Sequence, residues 1–141
     1  MKKFLFLLIL SLCFSVSMKA QDAEKDAVKR VVETYLFSEN DAERRQMLFD
    51  EAKIFSINPA DGQIYGKSFT KAKKPPKGTV IVALQKVISI DVFENAASVK
   101  VETDLSYRDI KVPKHYQFIS LLKPGGAWKI VSILMPNQTS K

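Results

Sequence analysis

The chain has 141 residues, 22 Lys and Arg against 15 Asp and Glu for a formal charge of +7, and only one cysteine and one histidine. A single histidine excludes any site built from two or more, including the HExxH metalloprotease motif, and a single cysteine excludes an internal disulfide or a thiolate metal cage. The length suits one hydrophobic core and not two.

The chain opens MKKFLFLLILSLCFSVSMKAQ, with Lys2 and Lys3 ahead of an apolar run from Phe4 to about Val16. A charged start, an apolar run and small residues before Gln21 form an export signal, with cleavage expected after Ala20 and Ser17 as the alternative. A run of about 13 residues is short of the roughly 20 needed to span a bilayer, so no transmembrane segment is expected. Cys13 would suit a lipid anchor, but the bulky Leu12 before it argues against one. Removing residues 1–20 takes away Cys13, Lys2, Lys3 and Lys19, which lowers the formal charge from +7 to +4. Such a charge keeps a small domain soluble and says little about nucleic acid. The expected product is an exported, periplasmic or secreted domain over residues 21–141.

Over Asp22–Phe37 the residues Ala27, Val28, Val31, Val32, Tyr35 and Leu36 recur at helical spacing, with Glu24, Lys25, Lys29, Arg30 and Glu33 largely opposite. This predicts an amphipathic helix that must cover something. Asn40 followed by Glu43 reads as a cap and its box partner, starting a second helix that runs to about Phe49 or Asp50. AKIFSI and QIYG are short strand candidates either side of the NPADG turn. KSFTKAKKPPKGT holds two adjacent prolines and a glycine, which points to a basic loop after at most one helical turn.

The remainder is strand-like: Val80–Phe93, Ala97 to about Tyr107, Pro113 or Lys114 to Leu122, and Ala127–Met135. The turn candidates Glu94-Asn95, Arg108-Asp109 and Pro124-Gly125-Gly126 are short, which favours antiparallel neighbours. Ala97, Val99, Val101, Thr103, Leu105 and Tyr107 alternate with Ser98, Lys100, Glu102, Asp104 and Ser106, predicting one buried and one wet face. A strand of 14 residues would span about 47 Å if straight, so a bulge or bend near Leu84–Val87 is expected to curl the sheet. The fold class is α+β, with N-terminal helices packed on a strongly curved antiparallel sheet whose opening is the natural ligand site.

Few residues there carry chemistry by type and spacing. Asp104 lies on the wet side of its strand, where a solvated sheet carboxylate is the ordinary role and catalysis the weaker one. Asp91 is similar, and neither pairs with a second acid as glycosidase chemistry requires. His115 could serve as a proton acceptor or a pocket polar group, although edge packing explains it as well. Among the aromatic residues, Tyr35, Tyr65 and Tyr107 suit a boundary between apolar and wet space, because a buried phenol needs a partner. Together with His115 and Trp128 they form the expected ligand-binding set. The lysines of KAKKPPKG lack interleaved aromatics, so no nucleic-acid partner is expected. With no Gly-rich phosphate loop and no GxSxG, no metal and no cofactor is expected.

Three stretches carry a resemblance: AVKRVVETYLFSENDAERRQMLFDEAKIF, VISIDVFENAASVKVETD and HYQFISLLKPGGAWKIVSILM. They resemble the NTF2-like superfamily, also called cystatin-like or SnoaL-like, and within it the group labelled "putative lumazine-binding", over roughly Asp22–Met135. The most specific piece is the closing signature Leu121, Leu122, Lys123, Gly126, Trp128, Lys129, Ile130 and Val131. The resemblance implies a cone of three helices and a strongly bent antiparallel sheet, commonly paired into homodimers through the sheet. KAKKPPKG occupies the place of the usual short third helix. Relatives of this kind include isomerases, cyclases and dehydratases that use an Asp or an Asp/His pair inside the cone, and many without known catalysis. No pair in this sequence aligns with those dyads, and the lumazine label is a family name that implies no flavin-like ligand. The expectation is a non-catalytic domain that binds a small apolar ligand in the cone or acts as a dimeric interaction module. The alternative is an isomerase- or dehydratase-like enzyme using a carboxylate or His115.

Overall fold

The computed structural model describes the backbone of residues 2–57, 61–69, 81–107, 110–111 and 114–136, and side chains within 20–57, 61–69, 84–104 and 114–135. Helix α1 spans Lys2–Phe37, running through the expected start at Asp22. Its apolar stripe meets the sheet as the spacing predicts: Val28 and Val32, one turn apart, are fully buried, with Ala27, Val31, Tyr35 and Leu36 packed against the same core. Among the described residues no helix is long and apolar enough to cross a membrane.

Helix α2 is a short turn-and-a-half, Asp41–Gln46. The Asn40 side chain caps it by accepting from the Ala42 N–H at 2.9 Å. The Glu43 carboxylate does not return to the Asn40 backbone as a box would require. It accepts instead from the Ser38 hydroxyl at 2.5 Å, and Ser38 Oγ accepts the Asn40 N–H at 3.1 Å, so the serine relays the bond. The expected extension of this helix to Phe49 or Asp50 is overturned, because Leu48 already belongs to strand β1, Leu48–Ile57. A backbone bond from Ile130 N to Met47 O at 2.8 Å draws the chain into the sheet there.

The other strands are β2 (Ile64–Ser68), β3 (Ile81–Phe93), β4 (Ala96–Tyr107), β5 (Ile110–Lys111), β6 (His115–Leu122) and β7 (Lys129–Pro136). They form one sheet in the order β2-β1-β7-β6-β4-β3, with the two-residue β5 on β4. Every sequential hairpin is antiparallel, as the short turns predict. The β1–β7 pair is parallel, so the sheet is mixed. No tight turn joins those two strands, so turn geometry does not dictate their direction. The third-helix question and the lysine cluster at Lys71–Lys77 fall on residues outside those described.

The predicted alternation on β4 gives the sheet its two faces. Val99 and Val101 are fully buried, Ala97 and Thr103 nearly so, while Ser98 is exposed and Lys100, Glu102 and Asp104 are partly solvated. The side chains of Leu105 and Tyr107 lie outside those described. Pairing carries the pattern across the sheet: Val99 opposes Ile119 and Ile119 opposes Ile133, so the inner faces of β4, β6 and β7 meet beneath α1. Ile119, Leu121 and Ile130 are the largest of these fully buried side chains, each worth about 1.5–3 kcal/mol in area removed from water.

Irregularities supply the curl. The β3–β4 register shifts between Val87 and Ser89, within a residue of the predicted bend, and β6–β7 shifts between Ser120 and Leu121. Each extra residue bends its strand and increases the local twist. The hairpin from β3 to β4 turns at Glu94 and Asn95, and Glu94 takes a left-handed φ of 51°. The result is the helix-covered, curved α+β cone expected from the pattern.

Candidate functional site

The inner face changes character along the sheet, from apolar near Trp128 to polar near Thr103. At the apolar end Trp128, 5% exposed, joins the core. Its indole N–H donates to Glu24 Oε2 at 2.8 Å, and Lys123 Nζ donates to Glu24 Oε1 at 2.6 Å. The same ammonium lies 5.6 Å from the indole ring. The Lys123 bond, followed by the Trp128 bond, lowers the Glu24 pKa below its ordinary value. This three-way contact joins α1 to the turn before β7, and it gives the closing signature a structural role.

Toward the other end the inner face becomes polar. Thr103 on β4 faces Gln85 on β3 to one side and His115 on β6 to the other. Gln117, on the same face of β6 as His115, Ile119 and Leu121, donates from Nε2 to Thr103 Oγ1 at 3.3 Å. A cleft of about 170 Å3 opens here, lined by Tyr35 and Leu36 of α1, Arg44 of α2, Ile54 of β1, Gln85, Gln117, and Ile133 and Met135 of β7. An apolar floor with a few convergent polar groups is the usual make-up of a small-molecule site. This cleft is smaller than the several hundred cubic ångströms typical of such sites.

Tyr35 and Arg44 form the mouth. Arg44 Nε donates to the Tyr35 carbonyl at 3.0 Å, which ties α2 to the end of α1, and the guanidinium carbon lies 5.4 Å from the Tyr35 ring centroid. Burial raises the Tyr35 phenol above its ordinary pKa, and the nearby Arg44 charge opposes that rise. Phe69, just after β2, meets the Tyr35 ring edge-on at 6.0 Å and 89°, and its N–H donates to Ala52 O at 3.4 Å. Packing thus fixes the ring before any ligand arrives.

The candidate residues distribute unevenly around this geometry. Tyr35 lines the cleft. His115 is half-buried on the inner face, one position beyond Gln117 on that face, and is not part of the cleft lining. Tyr65 is exposed on the edge strand β2, its hydroxyl donating to Gln63 Oε1 at 3.3 Å. Trp128 sits in the core with Glu24, and Tyr107 ends β4 with its side chain outside those described. Asp104 is on the outer face, opposite Leu84. The structure therefore places Asp104 and His115 on opposite faces of the sheet.

Arg44, Gln85 and Gln117 were not singled out from the sequence. Gln117 shares strand parity with the buried Ile119 and Leu121, and Gln85 with the partly buried Val87, and a polar residue on an apolar parity is the signal that marks them. Arg44 carries no comparable signal, because its approach to Tyr35 depends on how α2 folds back.

The outer face is organised differently. Lys114 Nζ donates to Glu102 Oε1 at 2.7 Å, Tyr116 reaches Glu102 Oε2 at 3.4 Å, and Lys100 Nζ lies 4.2 Å from the Tyr116 ring centroid. The Lys114 bond, opposed by desolvation and aided by nearby positive charge, holds the Glu102 carboxyl below its ordinary pKa. Around this charged row stand exposed Leu84, Ile88, Phe118 and Leu122. Among the described residues no group of three metal-ligating side chains comes together.

A helix-covered, curved mixed sheet with an inward cleft defines an NTF2-like cone. Residues 23–134 match the family described as "putative lumazine-binding", and the chain belongs to that family. Solved structures bear out the fold. An NTF2-like protein of unknown function from Shewanella baltica is 22% identical, covers 84% of this chain and 96% of its own, and has a TM-score of 0.61. A "putative scytalone dehydratase" from Novosphingobium aromaticivorans is 18% identical over 86% of this chain and 89% of its own, with a TM-score of 0.61. A "putative ketosteroid isomerase" from Shewanella frigidimarina is 20% identical over 77% and 93%, with a TM-score of 0.55. No curated protein matches the chain.

Proposed function

We propose that this chain is an exported, non-catalytic domain that holds a small, mostly apolar ligand in the cleft of its cone and pairs with a second copy through the outer face of its sheet. The observation that carries the ligand reading is the cleft itself: Leu36, Ile54, Ile133 and Met135 supply an apolar floor, and Tyr35, Gln85 and Gln117 stand at its edge. An apolar cavity of about 150 Å3 takes a benzene ring, so a cleft of about 170 Å3 suits a body of that size. The isomerase- or dehydratase-like alternative needs a carboxylate or His115 directed at its substrate. Asp104 faces outward, His115 is on the inner face beyond the cleft lining, and none of the eight described lining residues is acidic.

Export with cleavage after Ala20 is supported by the sequence of the leader, where Lys2 and Lys3 precede the apolar run from Phe4 to about Val16. Pairing through the sheet is supported by Leu84, Ile88, Phe118 and Leu122, exposed around the Lys100, Glu102 and Tyr116 row. The ligand reading is tested by ligand-observed NMR with toluene, comparing wild type with Gln85→Trp, whose indole would fill the mouth. The expected result is saturation transfer in wild type and its loss in the variant. Transfer of equal strength in both would overturn the reading. Native mass spectrometry of protein purified from its own periplasm would give the class of any ligand retained.

A further inference from the structure

Among the described residues the cleft contains one charged side chain, and its setting narrows the chemistry of the occupant. Of the eight described lining residues only Arg44 is ionised, and the other polar groups are the Tyr35 phenol and the Gln85 and Gln117 amides. Three observations bear on what that guanidinium is for. Its Nε is committed to the Tyr35 carbonyl at 3.0 Å, which orients the planar group and leaves the Nη edge out of that bond. Its central carbon lies over the Tyr35 ring, 5.4 Å from the centroid, which restrains it further. Its one ion-pair partner among the described residues is Asp41, at 3.9 Å through Nη1, and the Asp41 side chain is 84% exposed. An exposed pair at that separation contributes little and is easily exchanged for a better acceptor.

An oriented guanidinium presents parallel N–H donors that match the two oxygens of a carboxylate, a geometry a lysine cannot offer. Gln117 spends one amide N–H on Thr103 and retains its carbonyl and a second N–H. The floor beneath is apolar and has room for a body about the size of a benzene ring. We propose that the cleft takes a small monocarboxylate with a flat apolar body, its carboxylate held by Arg44 at the mouth and its ring laid on Leu36, Ile54, Ile133 and Met135. The proposal rests on the ligand reading above and adds the anionic group. It makes the ligand amphiphilic, and it gives Arg44 a role that helix packing alone does not require.

Phenylacetate and its neutral near-isostere phenylacetamide separate the two ideas. Titrated into the full-length mature protein and followed by backbone amide NMR, phenylacetate is expected to bind at least about tenfold more tightly, the factor typical of a charge-assisted paired hydrogen bond. In Arg44→Gln the two should bind equally. Arg44→Lys, which keeps the charge without the fork, should recover only part of the preference. Equal affinities in wild type would overturn the carboxylate proposal and leave the apolar-ligand reading standing. A preference that survives in Arg44→Gln would also overturn it, since the anion would then be held elsewhere. If wild type binds neither compound and toluene also fails, the ligand reading falls and the proposal with it. Because the decisive comparison is between two ligands on the wild-type protein, it stands even if a variant folds poorly.

Discussion

Replacing Ile119 by Ala tests whether the two faces of the sheet differ as strongly as the alternation requires. Ile119 is fully buried and stands in register with Val99 on one side and Ile133 on the other. The change removes three carbons, and at about 0.8 kcal/mol for each buried methylene the transfer loss is about 2.4 kcal/mol. The neighbours come from three strands locked in a ladder and can relax only partly, so the residual cavity raises the cost to about 3–4 kcal/mol. For a domain of this size each kcal/mol moves the melting temperature by about 3–5 °C, giving a loss of about 10–20 °C. The adjacent residue is the internal control. Phe118 is 39% exposed on the outer face, and Phe118→Ala in the monomer should cost less than about 1 kcal/mol. Thermal melts followed by circular dichroism at two protein concentrations measure both changes. The concentration dependence separates any contribution of Phe118 to pairing from its contribution to the fold. Comparable losses for the two variants at low concentration, or a loss under 1 kcal/mol for Ile119→Ala, would refute the two-faced sheet.

The Glu24 contact predicts a pH dependence of defined sign. A carboxyl whose folded pKa lies below its ordinary value of 4.5 contributes stability that is present above about pH 4.5 and is lost as pH falls through the folded value. Glu24→Gln should lower the melting temperature at pH 7 and flatten the fall of stability between pH 5 and pH 3, both read from melts across that range. An unchanged acid profile would mean that the contact with Lys123 and Trp128 does not hold the helix in solution. At the β3–β4 turn Glu94 pays for its left-handed φ of 51°, so Glu94→Gly should be neutral or stabilising by up to about 1 kcal/mol in urea denaturation, and Glu94→Val destabilising. Leu84→Lys together with Phe118→Asp should convert a dimer to a monomer by analytical ultracentrifugation without lowering the helix and strand content.

The parts of this architecture that could be read from the chain are those carried by short-range period. The stripe Val28, Val32, Tyr35 on α1 and the alternation Ala97 to Thr103 on β4 are repeats of 3.6 and 2 residues, and burial follows them residue by residue. The bend in β3 was legible because its length exceeded what the domain could hold straight. Contacts between distant residues were not. Glu24 and Trp128 are 104 positions apart, and neither residue's neighbours announce the bond between them. The parallel β1–β7 ladder is equally non-local, and it also explains the early end of α2, since Leu48 is taken by the register with Ile130.

The same distinction accounts for the site. Tyr35 was accessible to reasoning because an aromatic with a polar tip at the end of an amphipathic stripe belongs at a boundary. Trp128 and Tyr65 have the same chemistry but different surroundings: one is covered by α1 and bonded to Glu24, the other sits on the exposed edge strand. Residue type identifies candidates, and position within the curl separates them. Arg44 enters the cleft through its bond to a backbone carbonyl nine residues earlier, which no side-chain pattern records.

The most direct test of the account is a map of ligand-induced chemical-shift changes on isotopically labelled protein titrated with phenylacetate. Changes are expected to centre on the side-chain amides of Gln85 and Gln117 and the methyl groups of Leu36, Ile54, Ile133 and Met135, with the resonances of Phe118, Leu84 and Lys100 unmoved. Changes centred on that outer group, or none at saturating ligand, would contradict the account.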